Sequence, residues 1–246
     1  MPGFASPLAS RPSGAGNHTY SQVLMAFFGD SITFGATPNY PFTGVYSSTT
    51  GYRQYVYRAL LAQGVNPICV GSIQDSVFSG LPVSLAGDYY SGYSGTFWAT
   101  WMPGAGANYL LGLVKPGIDL RPTLNVPTII VLMLGANAGN DTGNGQGQLN
   151  LLDLITTTWP AAWVIQCSRT PQAASASNVV NAYVQAGVAT RAAAGGRVSF
   201  FDMFPLITAA ATDLPDGLHP SAGAYAVMGG AIAQYIVAGL AKGAFI

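Results

Sequence analysis

Five short apolar runs constrain this chain most: Val23 to Phe28, Pro67 to Gly71, Thr128 to Leu134, Ala162 to Gln166 and Val198 to Asp202, with stretches of helical spacing between them. Near-continuous apolar strands that alternate with helices are the pattern of a parallel sheet covered on both faces. Tyr52 to Gly64 sets Tyr52, Val56 and Leu60, with Tyr55 and Ala59, on one side of a helix and ends in a glycine stop. Ser177 to Ala194 places Val179, Val180, Tyr183, Val184 and Val188 on one face and closes at Gly195-Gly196. The expectation is an α/β fold: one three-layer α/β/α domain over residues 23–246, preceded by an N-terminal extension, 1–22. Its five-stranded parallel sheet takes the flavodoxin-like order 2-1-3-4-5, with ligands at the carboxyl ends of the strands.

Composition narrows the partners. Half of the 246 residues are hydrophobic, enough to bury a large single core. Charged residues make up 7%, against about a quarter in ordinary soluble domains. Nine basic and nine acidic residues leave no net charge, so the electrostatic footprint of a nucleic-acid binder is missing. An uncharged polar surface fits work outside the cell on neutral polymers or esters, although Met1 to Gln22 holds no apolar core of signal-peptide length.

Ala222 to Lys242 is apolar with Lys242 as its only charge, yet Gly229-Gly230 and Gln234 favour a buried closing helix over membrane insertion. Cys69 falls in the second run and Cys167 directly follows the fourth. In the expected sheet order they stand roughly 14 Å apart, at about 4.8 Å per strand, too far for a disulfide. Two buried free thiols are expected, and two histidines with two scattered cysteines argue against a zinc site.

The first run delivers Gly29-Asp30-Ser31-Ile32 into a turn, where free backbone N–H groups can stabilise negative charge. Asp216-Gly217-Leu218-His219-Pro220 supplies a carboxylate and an imidazole three residues apart. His18 and His219 are the only histidines, so Ser31 has few candidate bases. Asn137 closes the third run with an amide donor at the same carboxyl edge, and Gly95 could add a backbone N–H. Singly, each has a plainer reading: a helix-capping serine, a polar loop before a helix, a turn asparagine. Position 33 is Thr33, so the G-x-S-x-G elbow of α/β-hydrolases is not indicated.

In fixed order, these motifs resemble those of the SGNH hydrolases, the GDSL esterase and lipase family, over nearly all of Met25 to Val227. Gly29-Asp30-Ser31 is similar to the family's first block, Ser94-Gly95 to its second, Leu134-Gly135-Ala136-Asn137 to its third, and Asp216-Gly217-Leu218-His219-Pro220-Ser221 to its fourth. Gly92 is the alternative if the second block is registered three residues earlier. The resemblance implies Ser31 as nucleophile, His219 as base, Asp216 as its orienting acid, and an oxyanion hole from the Ser31 and Gly95 N–H groups with the Asn137 amide. It also implies two-step acyl transfer without metal or cofactor.

Gly51 to Gly64, Val70-Gly71-Ser72 and Gly92 to Gly95 look most like the carbohydrate-esterase branch that includes acetylxylan esterases. Where the family usually has Asp after the asparagine, this chain has Ala138, and Asn140-Asp141 is a candidate substitute. Asp30, Tyr93 and Trp98 are candidate substrate contacts. Tyr89, Tyr90, Phe97 and Trp101 line the acyl or sugar side, or else form a packed cluster under the long segment from Ser72 to Val126.

The leading expectation is a serine esterase for short acyl esters, small or on a polysaccharide. A non-catalytic carbohydrate-binding module on the same fold and a longer-chain lipase or thioesterase remain alternatives, and oligomeric state stays open.

Overall fold

Every residue from Val23 to Gly29 is buried, which is why this stretch becomes a strand covered on both faces. The computed structural model describes residues 22–36, 51–70, 73–74, 89–92, 127–137, 139–172 and 178–245. In chain order the elements are β1 (Gln22–Gly29), α1 (Ser31–Phe34), α2 (Gly51–Ala62), β2 (Asn66–Val70), β3 (Ile73–Gln74), β4 (Tyr89–Gly92) and β5 (Thr128–Met133). There follow α3 (Thr142–Thr158), β6 (Trp163–Cys167), α4 (Val179–Ala193), β7 (Val198–Phe201) and α5 (Ala222–Ala241).

The five expected strands pair in parallel in the order β2-β1-β5-β6-β7, which is the expected 2-1-3-4-5. Two short strands extend that sheet. β4 runs parallel to the last residues of β1, on the edge that β2 occupies further back, and β3 pairs antiparallel with β4. The register sets Gly92 beside Gly29.

Alternation along β1 divides the core. Val23, Met25 and Phe27 face a layer built with Tyr52, Val56 and Leu60 of α2 and Met228, Ile232 and Ile236 of α5. Leu24, Ala26 and Phe28 face Leu149, Leu152 and Ile155 of α3 with Val180, Val184 and Val188 of α4. The buried stripe of α5 explains its composition: it is long and apolar enough to cross a membrane, yet here it packs against the sheet and α2. Cys69 and Cys167 are buried and free, on β2 and β6, with β1 and β5 between them.

Two expected helix faces shift. On α2, Arg53 and Tyr57 join Tyr52, Val56 and Leu60 in the core, while Tyr55 and Ala59 are only half-buried. On α4, Val179 is 44% exposed while Val180 is buried, because at 3.6 residues per turn Val179 lies to one side of the buried row Val180, Val184 and Val188. α3 had no expected counterpart, and its glycines explain why: they depress helix propensity, but a Cβ at Gly145 would crowd Tyr183 of α4. Asp141 starts that helix by accepting from Asn144 N at 2.9 Å.

Candidate active site

The turn that carries Ser31 is determined from several directions at once. A Cβ at Gly29 would collide with the Thr33 side chain and the Met133 carbonyl, so only glycine lets β1 pass this close to β5 and α1. Asp30 is extended and caps α1, its Oδ1 accepting from Ile32 N at 3.0 Å. The carbonyls left over at the end of this single turn are met by side chains from α2 and α5. Arg53 Nε donates to Thr33 O at 2.8 Å, Arg53 Nη2 to Phe34 O at 3.4 Å, and Tyr225 OH to Ala36 O at 2.7 Å. Tyr52 OH and Thr33 Oγ1 share a further bond at 3.0 Å. Burial of the two tyrosines raises their phenol pKa values far above the ordinary range, so both stay neutral.

The loop between β7 and α5 is organised by its own polar groups. Asp213 Oδ2 accepts from Thr208 N and Thr208 Oγ1 at 2.7 and 2.8 Å, and Ser221 N donates to Asp213 O at 2.7 Å. Within it, Asp216 Oδ1 accepts from the backbone N–H groups of Leu218 and His219 at 2.9 and 2.7 Å. That leaves Asp216 Oδ2 aimed at the imidazole, 2.7 Å from His219 Nδ1. Partial desolvation raises the Asp216 pKa, but the bonds from the His219 ring and from the His219 and Leu218 amides outweigh it and hold the carboxyl below the usual aspartate value. Ser221 then caps α5, accepting from Ala224 N at 3.3 Å.

The two pieces meet: His219 Nε2 lies 3.0 Å from Ser31 Oγ, across 188 residues of chain. Ser31 is 2% and His219 7% exposed. With Nδ1–H donating to an ionised carboxylate, Nε2 is the lone-pair nitrogen that can accept the serine proton.

Asn137 sits exposed in the turn after β5, on the same carboxyl edge. The preceding residue is held on both sides: Ala136 N donates to Asp30 Oδ2 at 3.1 Å, and Gln172 Nε2 donates to Ala136 O at 2.7 Å. Asn140 and Asp141, the candidate substitutes for the family's aspartate, serve helix ends instead. Asn140 Oδ1 accepts from Val180 N at 3.1 Å, and Asp141 caps α3. Gly92, the alternative oxyanion glycine, is delivered by β4 to the side of Gly29. Gly95, Tyr93, Trp98, Phe97, Trp101 and Ala138 lie outside the described residues, as do most of 72–126 and residues 1–21 of the extension 1–22.

Asp30 corrects one expectation. Named as a substrate contact, it is 1% exposed, with Oδ1 and Oδ2 taken by Ile32 N and Ala136 N. Burial pushes its carboxyl up to about 6, although the Ile32, Ala136 and Gly135 amides and the nearby His219 pull the other way. Sequence reasoning passed over Arg53, Tyr225 and Gln172. Arg53 had a usable signal, a cation at the head of the row Arg53-Tyr57-Leu60 on the buried side of α2. Among the described residues, no three His, Cys, Asp or Glu side chains gather as metal ligands.

The family model described as GDSL-like Lipase/Acylhydrolase matches residues 25–232. Among solved structures, the chain is similar to a family 3 carbohydrate esterase of Clostridium thermocellum, at TM-score 0.65 and 24% identity over 91% of this chain and 99% of that one. A carbohydrate esterase family 3 structure from Talaromyces cellulolyticus superimposes at TM-score 0.62, with 18% identity over 89% of this chain and 99% of the other. A carbohydrate acetylesterase from Sinorhizobium meliloti does so at TM-score 0.55, with 20% identity, covering 87% and 98%. At these identities the likeness is one of fold. None of the curated proteins matches the chain.

Proposed function

The chain belongs to the GDSL-like lipase/acylhydrolase family and is a carboxylic ester hydrolase, and on that premise we propose that it removes short acyl groups, acetyl above all, from carbohydrate esters through Ser31, His219 and Asp216. The observation that carries this reading is the unbroken line Asp216 Oδ2, His219 Nδ1, His219 Nε2, Ser31 Oγ at 2.7 and 3.0 Å. The carbohydrate esterases among the similar structures support the choice of substrate class.

In the proposed reaction Ser31 Oγ attacks the ester carbonyl carbon while its proton passes to His219 Nε2. Asp216 holds the Nδ1–H tautomer and stabilises the imidazolium that forms. The carbonyl oxygen, now an oxyanion, is met by the Ser31 N–H at the start of α1, the Asn137 amide and a glycine N–H from Gly95 or Gly92. Collapse breaks the bond to the alcohol oxygen, which takes the Nε2 proton and leaves an acyl-Ser31 ester. Water then gives its proton to Nε2 and its oxygen to the acyl carbon, releasing the acid and restoring Ser31.

Acetate release from acetylated xylan, with a p-nitrophenyl ester series from acetate to laurate, tests the reading. Acetate is expected to be the preferred chain. Equal turnover of acetate by wild type and Ser31→Ala would return the chain to the binding-module alternative, and a laurate preference would favour the lipase.

A further inference from the structure

Asp30 stands outside the line from Asp216 to Ser31, yet its carboxylate connects two parts of the site that are 106 residues apart in sequence. We propose that Asp30 is a positioning residue that sets the Asn137 amide against the nucleophile turn, one carboxylate tying the residues beside Ser31 to the residue before Asn137. The inference rests on the esterase reading above, in which Asn137 donates to the oxyanion.

Capping α1 takes a single acceptor, and serine, threonine or asparagine would do it. Asp30 uses Oδ1 for that purpose, accepting from Ile32 N at 3.0 Å. Its Oδ2 goes to Ala136 N at 3.1 Å, a group that the cap does not need. A carboxylate accepts on both oxygens without presenting a donor, which no amide or hydroxyl can do. At 1% exposure neither bond competes with water. The choice is costly, since burial pushes this carboxyl up to about 6 and a hydroxyl cap would avoid that.

Geometry shows what the second bond achieves. Ala136 N–H belongs to the peptide before Ala136, and Ala136 C=O, held by Gln172 Nε2 at 2.7 Å, belongs to the peptide that carries Asn137 N. Both peptides flanking Ala136 are therefore fixed, one of them to Asp30, whose own carbonyl accepts from Phe34 N at 2.9 Å within the serine turn. An oxyanion donor must hold its place to a few tenths of an ångström. Pairing of Gly29 with Met133 brings the two turns side by side but leaves three residues, Leu134, Gly135 and Ala136, between Met133 and Asn137. The Asp30 carboxylate bridges that gap.

The test is a double-mutant cycle on p-nitrophenyl acetate with wild type, Asp30→Asn, Asn137→Ala and the double variant. Asp30→Asn keeps the shape and one acceptor but turns an NH2 group toward a backbone N–H. It is expected to lower kcat about 10- to 100-fold with KM within about twofold. In that background Asn137→Ala is expected to cost less than about threefold, well under its cost in wild type. Equal costs in both backgrounds would overturn the proposal, because a merely structural carboxylate does not couple to Asn137. An Asn137→Ala enzyme with wild-type kcat overturns it too, while loss of activity in Ser31→Ala would leave the esterase reading standing. If Asp30→Asn does not fold, an ester at the Ala136 amide, made by installing lactic acid at that position, removes the N–H alone. The same narrowing of the Asn137→Ala cost is expected there, and an unchanged kcat overturns the proposal.

Discussion

Ser31 and His219 lie 3.0 Å apart but reach their places in different ways. The serine turn is held from a distance: Arg53 and Tyr52 reach it from α2, Tyr225 from α5, and its own Asp30 reaches out to Ala136 after β5. The histidine is held from nearby, by a carboxylate three residues back and a loop tied to itself through Asp213 and Thr208. The two aspartates show the same contrast. Asp30 is buried and its carboxyl is pushed up, whereas Asp216 has a side chain 34% exposed and a carboxyl held down by its hydrogen bonds. One end of the site is therefore part of the core, and changes to the α2 and α5 side chains that brace it should register as lost stability. The other end is a loop in which Asp216 is open to solvent, and changes to that carboxylate should register as lost activity.

The largest effects test whether the two ends work as one unit. Ser31→Ala and His219→Ala are each expected to lower kcat for p-nitrophenyl acetate by about 10⁴- to 10⁶-fold, and the double variant no further. Multiplied losses in the double variant would mean that the two groups act separately. Asp216→Asn should cost about 10²- to 10⁴-fold in kcat, because the amide favours the wrong imidazole tautomer, while thermal unfolding moves by no more than about 2 °C.

The reverse pattern is expected at the other end. Arg53→Leu leaves the Thr33 and Phe34 carbonyls without their donor in a buried site and should cost about 2–4 kcal/mol in urea unfolding. A larger stability loss in Asp216→Asn than in Arg53→Leu would break the comparison. Tyr225→Phe, which removes only the donor to Ala36 O, should cost about 1 kcal/mol.

A further effect concerns pH. A carboxyl raised from 3.8 to about 6 in the fold binds its proton more tightly when folded, so its contribution to stability grows as pH falls through about 6 toward 4. The full shift corresponds to at most roughly 3 kcal/mol. Asp216 has the opposite sign: its contribution is present above the ordinary aspartate pKa and is lost as pH falls through its lowered value. The titratable neighbours of Asp30 are His219, Tyr52 and Tyr225. Subtracting the pH–Tm curve of Asp30→Asn from that of wild type should isolate the Asp30 part. The difference is expected to fall from pH 5 to pH 8, and a flat difference would contradict the buried, ionised carboxylate.

Much of the architecture was legible because it rests on period and position. β1, β5 and β6 declare themselves as apolar runs, and α5 by Ser221 at its start and a buried row through Tyr225, Met228 and Ile232. Ser31, His219 and Asp216 were legible because their spacing is local or lies at a strand end. Other elements were not. α3 is written in glycines whose value appears only against Tyr183, and β4 pairs with just the last two residues of β1. Asp30 read as a substrate contact because nothing local reveals that its second oxygen is taken by an amide beyond β5.

The sequence by itself determined the doubly wound parallel sheet, its strand order and the serine, imidazole and carboxylate at its carboxyl edge. The alternation of strand and helix follows from periodicity and turn chemistry, which are short-range properties, while the strand order came from the doubly wound pattern and the joining of the three groups into one site from motifs whose order resembles the SGNH hydrolases. Only the tertiary structure decided which buried side chains brace the serine turn, which face of α2 carries a charge into the core, and that Asp30 is buried with its oxygens accepting from Ile32 N and Ala136 N. Those outcomes depend on hydrogen bonds between residues far apart in the chain, which satisfy polar groups that only the complete fold removes from water.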